Sequence, residues 1–189
     1  MNPEPLFQYL SQFTDISPPF RKALSEELKS ERYHSKQVIK SEGQRENRLW
    51  FLQDGFARSY FFDDKGTEHT LHFWNSNEII FSFAGYWKEP SPNYIELLEP
   101  SLLYSISYKE LHSLLPRYQE TGLILRAVVR RHYQQEFRRK RLYSLTAEQR
   151  YLYLRKDGGE IFRKAPVRMI ASYLNMSRET LSRMISKIR

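Results

Sequence analysis

Pro166-Val167-Arg168-Met169-Ile170-Ala171-Ser172-Tyr173-Leu174, then Asn175-Met176, then Ser177-Arg178-Glu179-Thr180-Leu181-Ser182-Arg183-Met184-Ile185-Ser186-Lys187-Ile188-Arg189 is the stretch that decides the fold. It reads as a helix, a tight turn and a second helix. Ile170, Ala171 and Leu174 share one face of the first helix. Leu181, Met184, Ile185 and Ile188 follow the i, i+3, i+4, i+7 spacing of a buried stripe on the second. Asn175 tolerates the left-handed conformation that ends a helix. Ser177 caps the next helix by accepting a backbone hydrogen bond. The whole is a helix-turn-helix. Arg178, Glu179, Ser182, Arg183 and Ser186 are left pointing outward. Arg grips guanine O6 and N7 with two hydrogen bonds, Glu accepts from cytosine N4, and a helix N-terminus suits entry into a major groove.

The charge distribution agrees with a nucleic-acid module at this end. The net charge is +8 over 189 residues. Residues 126–189 hold 17 Lys+Arg against 5 Asp+Glu, whereas residues 1–125 hold 13 against 17. A mildly acidic front joined to a strongly basic back suggests a sensor or scaffold coupled to a nucleic-acid binder. The chain has no cysteine, which excludes disulfides, cysteine-ligated iron–sulfur clusters and thiol switches. No run of 18 apolar residues suggests a membrane span. The start, Met1-Asn2-Pro3-Glu4-Pro5, lacks a signal-peptide pattern, so a cytoplasmic protein is expected.

Ahead of the basic region, residues 4–13 and 18–30 read as short helices, with Ser17 as N-cap and Pro18 at the first helical position. From about Gln37 the pattern becomes strand-like. Leu49 to Leu52, Phe56 to Phe62, Glu68 to Trp74, Glu78 to Phe83, Tyr94 to Leu98 and Ser101 to Ser107 are separated by turn signals. Asp54-Gly55 reads as a hairpin turn and Asp63-Asp64-Lys65-Gly66 as a second. Short, evenly spaced strands imply an antiparallel β-barrel or jelly roll. Residues 108–115 form a short helix. Pro116 starts a longer one running to about Tyr143, whose stripe is Leu123, Ile124, Ala127, Val128, Tyr133 and Phe137. It either pairs with a twin or lies on its own barrel; a reader of palindromic DNA needs two-fold symmetry, which favours the twin. Arg138-Arg139-Lys140-Arg141 fits a solvated face or a DNA-backbone contact equally. Thr146-Ala147-Glu148-Gln149 is a capping box. Gly158-Gly159 ends that helix, and Ile161 to Ala165 is a linker.

Ser177-Arg178-Glu179-Thr180-Leu181-Ser182-Arg183 resembles the recognition helix of the Crp–Fnr family of bacterial transcription regulators. Glu42-Gly43, Asp54-Gly55 and Asp64-Lys65-Gly66-Thr67-Glu68 resemble turns of the same family's double-stranded β-helix sensor. The resemblance spans essentially the whole chain. It implies an α+β protein: a cyclic-nucleotide-binding-like β-roll over residues 1–115, a dimerisation helix over 116–144, and a helix-turn-helix over 145–189. It implies base reading by Arg178, Glu179 and Arg183, and phosphate contacts from Ser177, Thr180 and Arg168. The family's β-hairpin wing beyond the recognition helix is not expected, because the sequence ends at Arg189. The partners implied are double-stranded DNA and a second copy of the chain, with RNA polymerase and a small-molecule effector as further candidates and no membrane.

Cyclic AMP is not the expected effector. The family's cassette uses a Gly-Glu pair for the ribose and an Arg beside Ser or Thr for the phosphate, where a guanidinium supplies a bidentate fork. No Arg lies between Arg58 and Arg117. Asn77-Glu78 stands where Gly-Glu would, Ser91-Pro92-Asn93-Tyr94-Ile95-Glu96 offers a carboxylate instead of a cation, and Lys88 is the nearest positive charge. The region is aromatic. Phe73, Phe81, Phe83, Tyr86 and Trp87, with Trp74, line an apolar effector pocket or simply fill the core. A barrel metalloenzyme of the cupin kind needs two His one residue apart, but His69 and His72 are three apart. No catalytic residues, metal ligands or cofactor are expected; a haem on His69 or His72 has no specific support. The competing account is a sensor or protein-interaction module whose basic tail binds nucleic acid without reading it.

Overall fold

The computed structural model describes residues 2–187. In chain order the elements are helices α1 (Glu4–Leu10) and α2 (Pro18–Glu27); strands β1 (Lys29–Tyr33), β2 (Gln37–Lys40), β3 (Arg48–Asp54), β4 (Phe56–Phe62), β5 (Glu68–Asn75) and β6 (Glu78–Ile80); the single turn of helix α3 (Phe83–Tyr86); strands β7 (Tyr94–Leu97) and β8 (Ser101–Ser107); and helices α4 (Tyr108–Leu114), α5 (Gln119–Tyr143), α6 (Ala147–Asp157), α7 (Gly159–Lys164), α8 (Val167–Tyr173) and α9 (Arg178–Lys187). The strands form two antiparallel four-stranded sheets, ordered β1-β8-β3-β6 and β2-β7-β4-β5. Alternation sends Trp50, Leu52, Ala57, Trp74, Ile80, Ile95, Leu97 and Leu103 between them, all buried. This is the expected jelly-roll architecture within an α+β chain.

Several local expectations change. Asp54-Gly55 is not a hairpin turn, because β3 and β4 lie in different sheets; it is the corner where the chain crosses between them. Gly55 has φ +124°, and a Cβ there would collide with the Ser101 side chain, so the corner needs glycine. Asp63 to Gly66 does close the β4–β5 hairpin, with Gly66 N–H donating to Asp63 O at 2.8 Å. The second helix stops at Glu27, and residues from Lys29 pair with β8 as a strand that propensity did not signal. The strand from Glu78 ends at Ile80; Ser82 then caps α3, so Phe83 is helical. Pro116 sits in a turn, and the long helix begins at Gln119. The Ile161–Ala165 linker falls largely within α7.

Capping explains where the other helices begin. Ser17 accepts from Phe20 N, and both Ser107–Glu110 and Thr146–Gln149 form complete capping boxes. The first half of α5 buries Thr121, Ile124 and Val128 against the cluster formed by α1, α2 and α4. At 1.5 Å per residue its 25 residues span roughly 37 Å. Among the described residues no helix is long and apolar enough to cross a membrane.

Candidate nucleic-acid interface and effector cavity

The C-terminal unit is closed by backbone hydrogen bonds. At the end of α8, Asn175 N–H donates to Ser172 O and Met176 N–H to Ala171 O, both at 3.0 Å. Asn175 takes φ +49°. These features form a Schellman stop, which satisfies carbonyls that a helix end would leave bare. Arg150 of α6 braces the turn by donating to Asn175 O at 3.0 Å. Ser177 Oγ then accepts from Thr180 N at 3.1 Å and donates to Thr180 Oγ1 at 3.0 Å, which starts α9. Met169, Ile170, Ala171, Leu174 and Leu181 are buried, with Met184 and Ile185 packed beside them. Ile188, the last residue of the expected stripe, lies outside the described residues.

That packing leaves Arg178, Glu179, Ser182, Arg183 and Ser186 exposed on α9. A hydrogen bond from its own backbone N–H holds the Glu179 carboxyl below its usual range, so it is ionised and able to accept. Arg178 and Glu179 fill the first turn, and Arg183 lies four residues beyond Glu179, the spacing at which two side chains share a helix face. Arg168, in the first turn of α8, is also exposed.

The unit is fastened to the β2-β7-β4-β5 sheet through β5, its edge strand. An edge strand presents unpaired backbone groups that need cover. Ser172 Oγ accepts from Thr70 N at 2.8 Å and donates to Glu68 O at 3.0 Å, while Arg139 Nη2 donates to Thr70 O at 3.0 Å. Lys164 reaches Glu99 at 2.9 Å. Arg168 lies 3.6 Å from Glu68, whose carboxyl is held below its usual range by the buried Arg58 guanidinium. Arg58 also binds Glu96 at 2.8 Å. Glu96 therefore faces away from the cavity described next, so it does not supply the misplaced carboxylate expected from the sequence.

On the other face of this sheet, the roll, α3 and α5 flank an open-sided cavity of about 840 Å³. Phe81, Phe83 and Tyr86 line it, with Trp74. Phe73 and Trp87 do not. Phe73 stacks on Phe56 at 5.5 Å and meets Tyr173 of α8, and Trp87 is exposed. Lys88 is exposed in a left-handed turn residue and is not the cavity's cation. That part is taken by Lys40, which sequence reasoning missed. It is buried, and its Nζ donates to Ser82 Oγ at 3.3 Å. Burial lowers its pKa to about 8, against the opposing charge of Glu46. Arg126, Arg130 and Arg139 of α5 also reach the wall, and Glu136 is the one carboxylate among the described lining residues. No local signal marks Lys40, because it belongs to the cavity only once β2 is paired. The arginines were legible as a basic helix but not as a wall.

The two histidines have separate surroundings. His69 Nε2 lies 2.9 Å from Asp63, and the ring stacks on Phe61. His72 lines the cavity, and burial lowers its pKa to about 3. No group of three potential metal ligands occurs among the described residues.

With this geometry in hand, the chain can be compared with known proteins. Residues 30–118 match the cyclic nucleotide-binding domain. A search of curated proteins finds none that matches in sequence. Among solved structures the chain is similar to FixK2 from Bradyrhizobium japonicum, with TM-score 0.73 and 17% identity over 85% of this chain and 84% of that one. It is similar to a putative transcriptional regulator of the Crp/Fnr family from Eubacterium rectale, with TM-score 0.71 and 15% identity over 95% and 87%. A cyclic nucleotide-binding domain containing protein from Listeria monocytogenes gives TM-score 0.70 and 15% identity over 98% and 90%. The chain has the fold of the Crp–Fnr regulators: a cyclic-nucleotide-binding type of β-roll, a long helix and C-terminal helices.

Proposed function

We propose that this protein is a sequence-specific DNA-binding transcriptional regulator that acts as a homodimer on a two-fold symmetric site. The observation that carries this reading is the Schellman-closed turn, which leaves Arg178, Glu179 and Arg183 exposed along one stretch of α9 while Leu181 anchors the helix. In this account those three residues choose the bases, and Ser177, Thr180 and Arg168 meet phosphates and set the register. We divide the chain into a sensor (1–115), a dimerisation helix (116–144) and a reading head (145–189). Tyr133 and Phe137, exposed and stacked on α5, are the natural seam for a second copy.

The cavity between roll and α5 is the candidate effector site. Cyclic AMP is not its expected ligand, because the segment Ser91 to Glu96 brings no guanidinium to the wall. A titration showing tight cyclic AMP binding would refute that part.

The reading is tested by competition at moderate salt. One DNA sequence should outcompete bulk DNA, and Arg178→Ala or Arg183→Ala should weaken that site by about 1–3 kcal/mol while changing random DNA much less. Equal losses on both would mean that the basic C-terminal region, with its excess of Lys and Arg, only neutralises phosphate.

A further inference from the structure

Five residues of α5 repeat with the 4-3-4-3 spacing of a coiled-coil seam: Arg126, Arg130, Tyr133, Phe137 and Lys140. All five are exposed. Arg130 and Phe137 take the a positions of this repeat, and Arg126, Tyr133 and Lys140 the d positions. The row lies opposite Thr121, Ile124 and Val128, which are buried against the chain's own helices. Arg126 and Arg130 border open grooves on both flanks of α5, as residues on its crest do. With both reading heads at the same end of a pair, the helices run parallel, and the two-fold axis sets each seam residue against its own copy. The same register places Glu136 of one copy opposite Arg141 of the other, the flanking ion pair that favours parallel pairing. Both are exposed, and neither makes an ion pair among the described residues.

The centre of the seam is short of negative charge. The helix has seven Lys and Arg against Glu120 and Glu136. Glu120 is held by Ser17, Arg131 by Glu78 at 3.5 Å, and Arg139 by Thr70 O. Arg126 and Arg130 make no hydrogen bond or ion pair among the described residues. Four residues apart, they project from one side of the helix. Pairing two copies therefore gathers four guanidiniums within about two turns of the axis. Tyr133 and Phe137, stacked at 6.4 Å, supply the apolar surface that draws the helices together beside them. The water they exclude would otherwise weaken repulsion between those like charges. Such a cluster calls for a counter-charge, and guanidinium forks match phosphate oxygens two at a time.

We infer that the seam between two copies holds a multivalent phosphate anion, received by Arg126 and Arg130 of both, and that self-association depends on it. The inference rests on the homodimer reading above, because neither copy alone forms the site. The ligand class is pyrophosphate or another linked phosphate, whose oxygens can meet forks from both sides of the axis. Chloride screens the same charges but joins no two of them. An anion that binds the pair and not the single chain tightens the pair by mass action.

The test is sedimentation equilibrium of the full chain in sodium chloride and in sodium pyrophosphate of equal ionic strength. Pyrophosphate should tighten the dimer by at least about tenfold. Equilibrium dialysis should find one pyrophosphate for every two chains. Arg130→Gln should reduce the gain to within about twofold. Arg138→Gln removes the same charge from the same helix but off the seam, and should keep the gain. Arg130→Leu should remove the requirement: with an apolar side chain at that a position, the dimer in chloride should be at least about tenfold tighter than the unaltered chain's. A dimer of equal strength in the two salts would overturn the anion site and leave the homodimer reading standing. Equal responses of Arg130→Gln and Arg138→Gln would also overturn it, since pyrophosphate would then act on net charge alone. A chain that stays monomeric in both salts and in Arg130→Leu would end the homodimer reading and this site with it.

Discussion

The two halves of α5 are one continuous helix with opposite duties. The first half is anchored: Thr121, Ile124 and Val128 are buried against α1, α2 and α4. The second half is presented: Tyr133 and Phe137 are 68% and 53% exposed, while Arg139 reaches back to the β5 edge. The sequence stripe ran through both halves without distinguishing them; in the structure its first half packs on the chain's own helices, while Tyr133 and Phe137 in its second half stay exposed.

The largest expected effect breaks the anchored half. Val128→Asp places a carboxylate in a dry cluster and should cost about 4 kcal/mol or more, read as loss of the cooperative thermal transition. Phe137→Asp should leave stability within about 0.5 kcal/mol yet weaken self-association by about tenfold or more in sedimentation. If both variants behave alike, the division of α5 is wrong.

A smaller effect comes from the cavity beside the second half. His72 has a folded pKa of about 3, below its ordinary 6.5. Above about pH 6.5 both states are neutral and the group is silent. As pH falls, the unfolded chain binds the proton first, so stability is lost progressively down to about pH 3. At about pH 5 the loss should be roughly 2 kcal/mol relative to His72→Gln, measured as the difference in urea midpoints between about pH 7 and 5. Parallel pH profiles of the two proteins would contradict the buried neutral state.

Smaller still is Ser172→Ala. It leaves Thr70 N–H and Glu68 O on the β5 edge without their α8 partner and should cost about 1–2 kcal/mol, with faster exchange confined to β5 and α8. Uniformly faster exchange would mean that Ser172 matters to global stability and not to the attachment of the head.

What was legible in the sequence was local. The turn at Asn175, the caps at Ser17, Thr146 and Ser177, and the packing of Leu181, Met184 and Ile185 depend on neighbours within one or two helical turns, and these are as the spacing implied. The Asp54-Gly55 signal was legible as a turn but not as a crossing, because which sheet accepts β4 depends on β7, some forty residues later. Strand β1 escaped notice because Lys29 to Tyr33 is held by pairing with β8 and not by propensity. Lys40 was missed, and Phe73 and Trp87 were misplaced, for the same reason. Cavity membership is a property of the closed roll, and one step of strand alternation sends a side chain to the opposite face.

The most direct measurement of the central claim is selection of bound duplexes from a random DNA pool at physiological salt, run in parallel with Arg178→Ala. The account predicts a two-fold symmetric consensus with half-sites about one helical turn apart, and relaxed preference at one position per half-site in the variant. Recovery of no consensus, or of the same consensus in both, would contradict base reading by this helix.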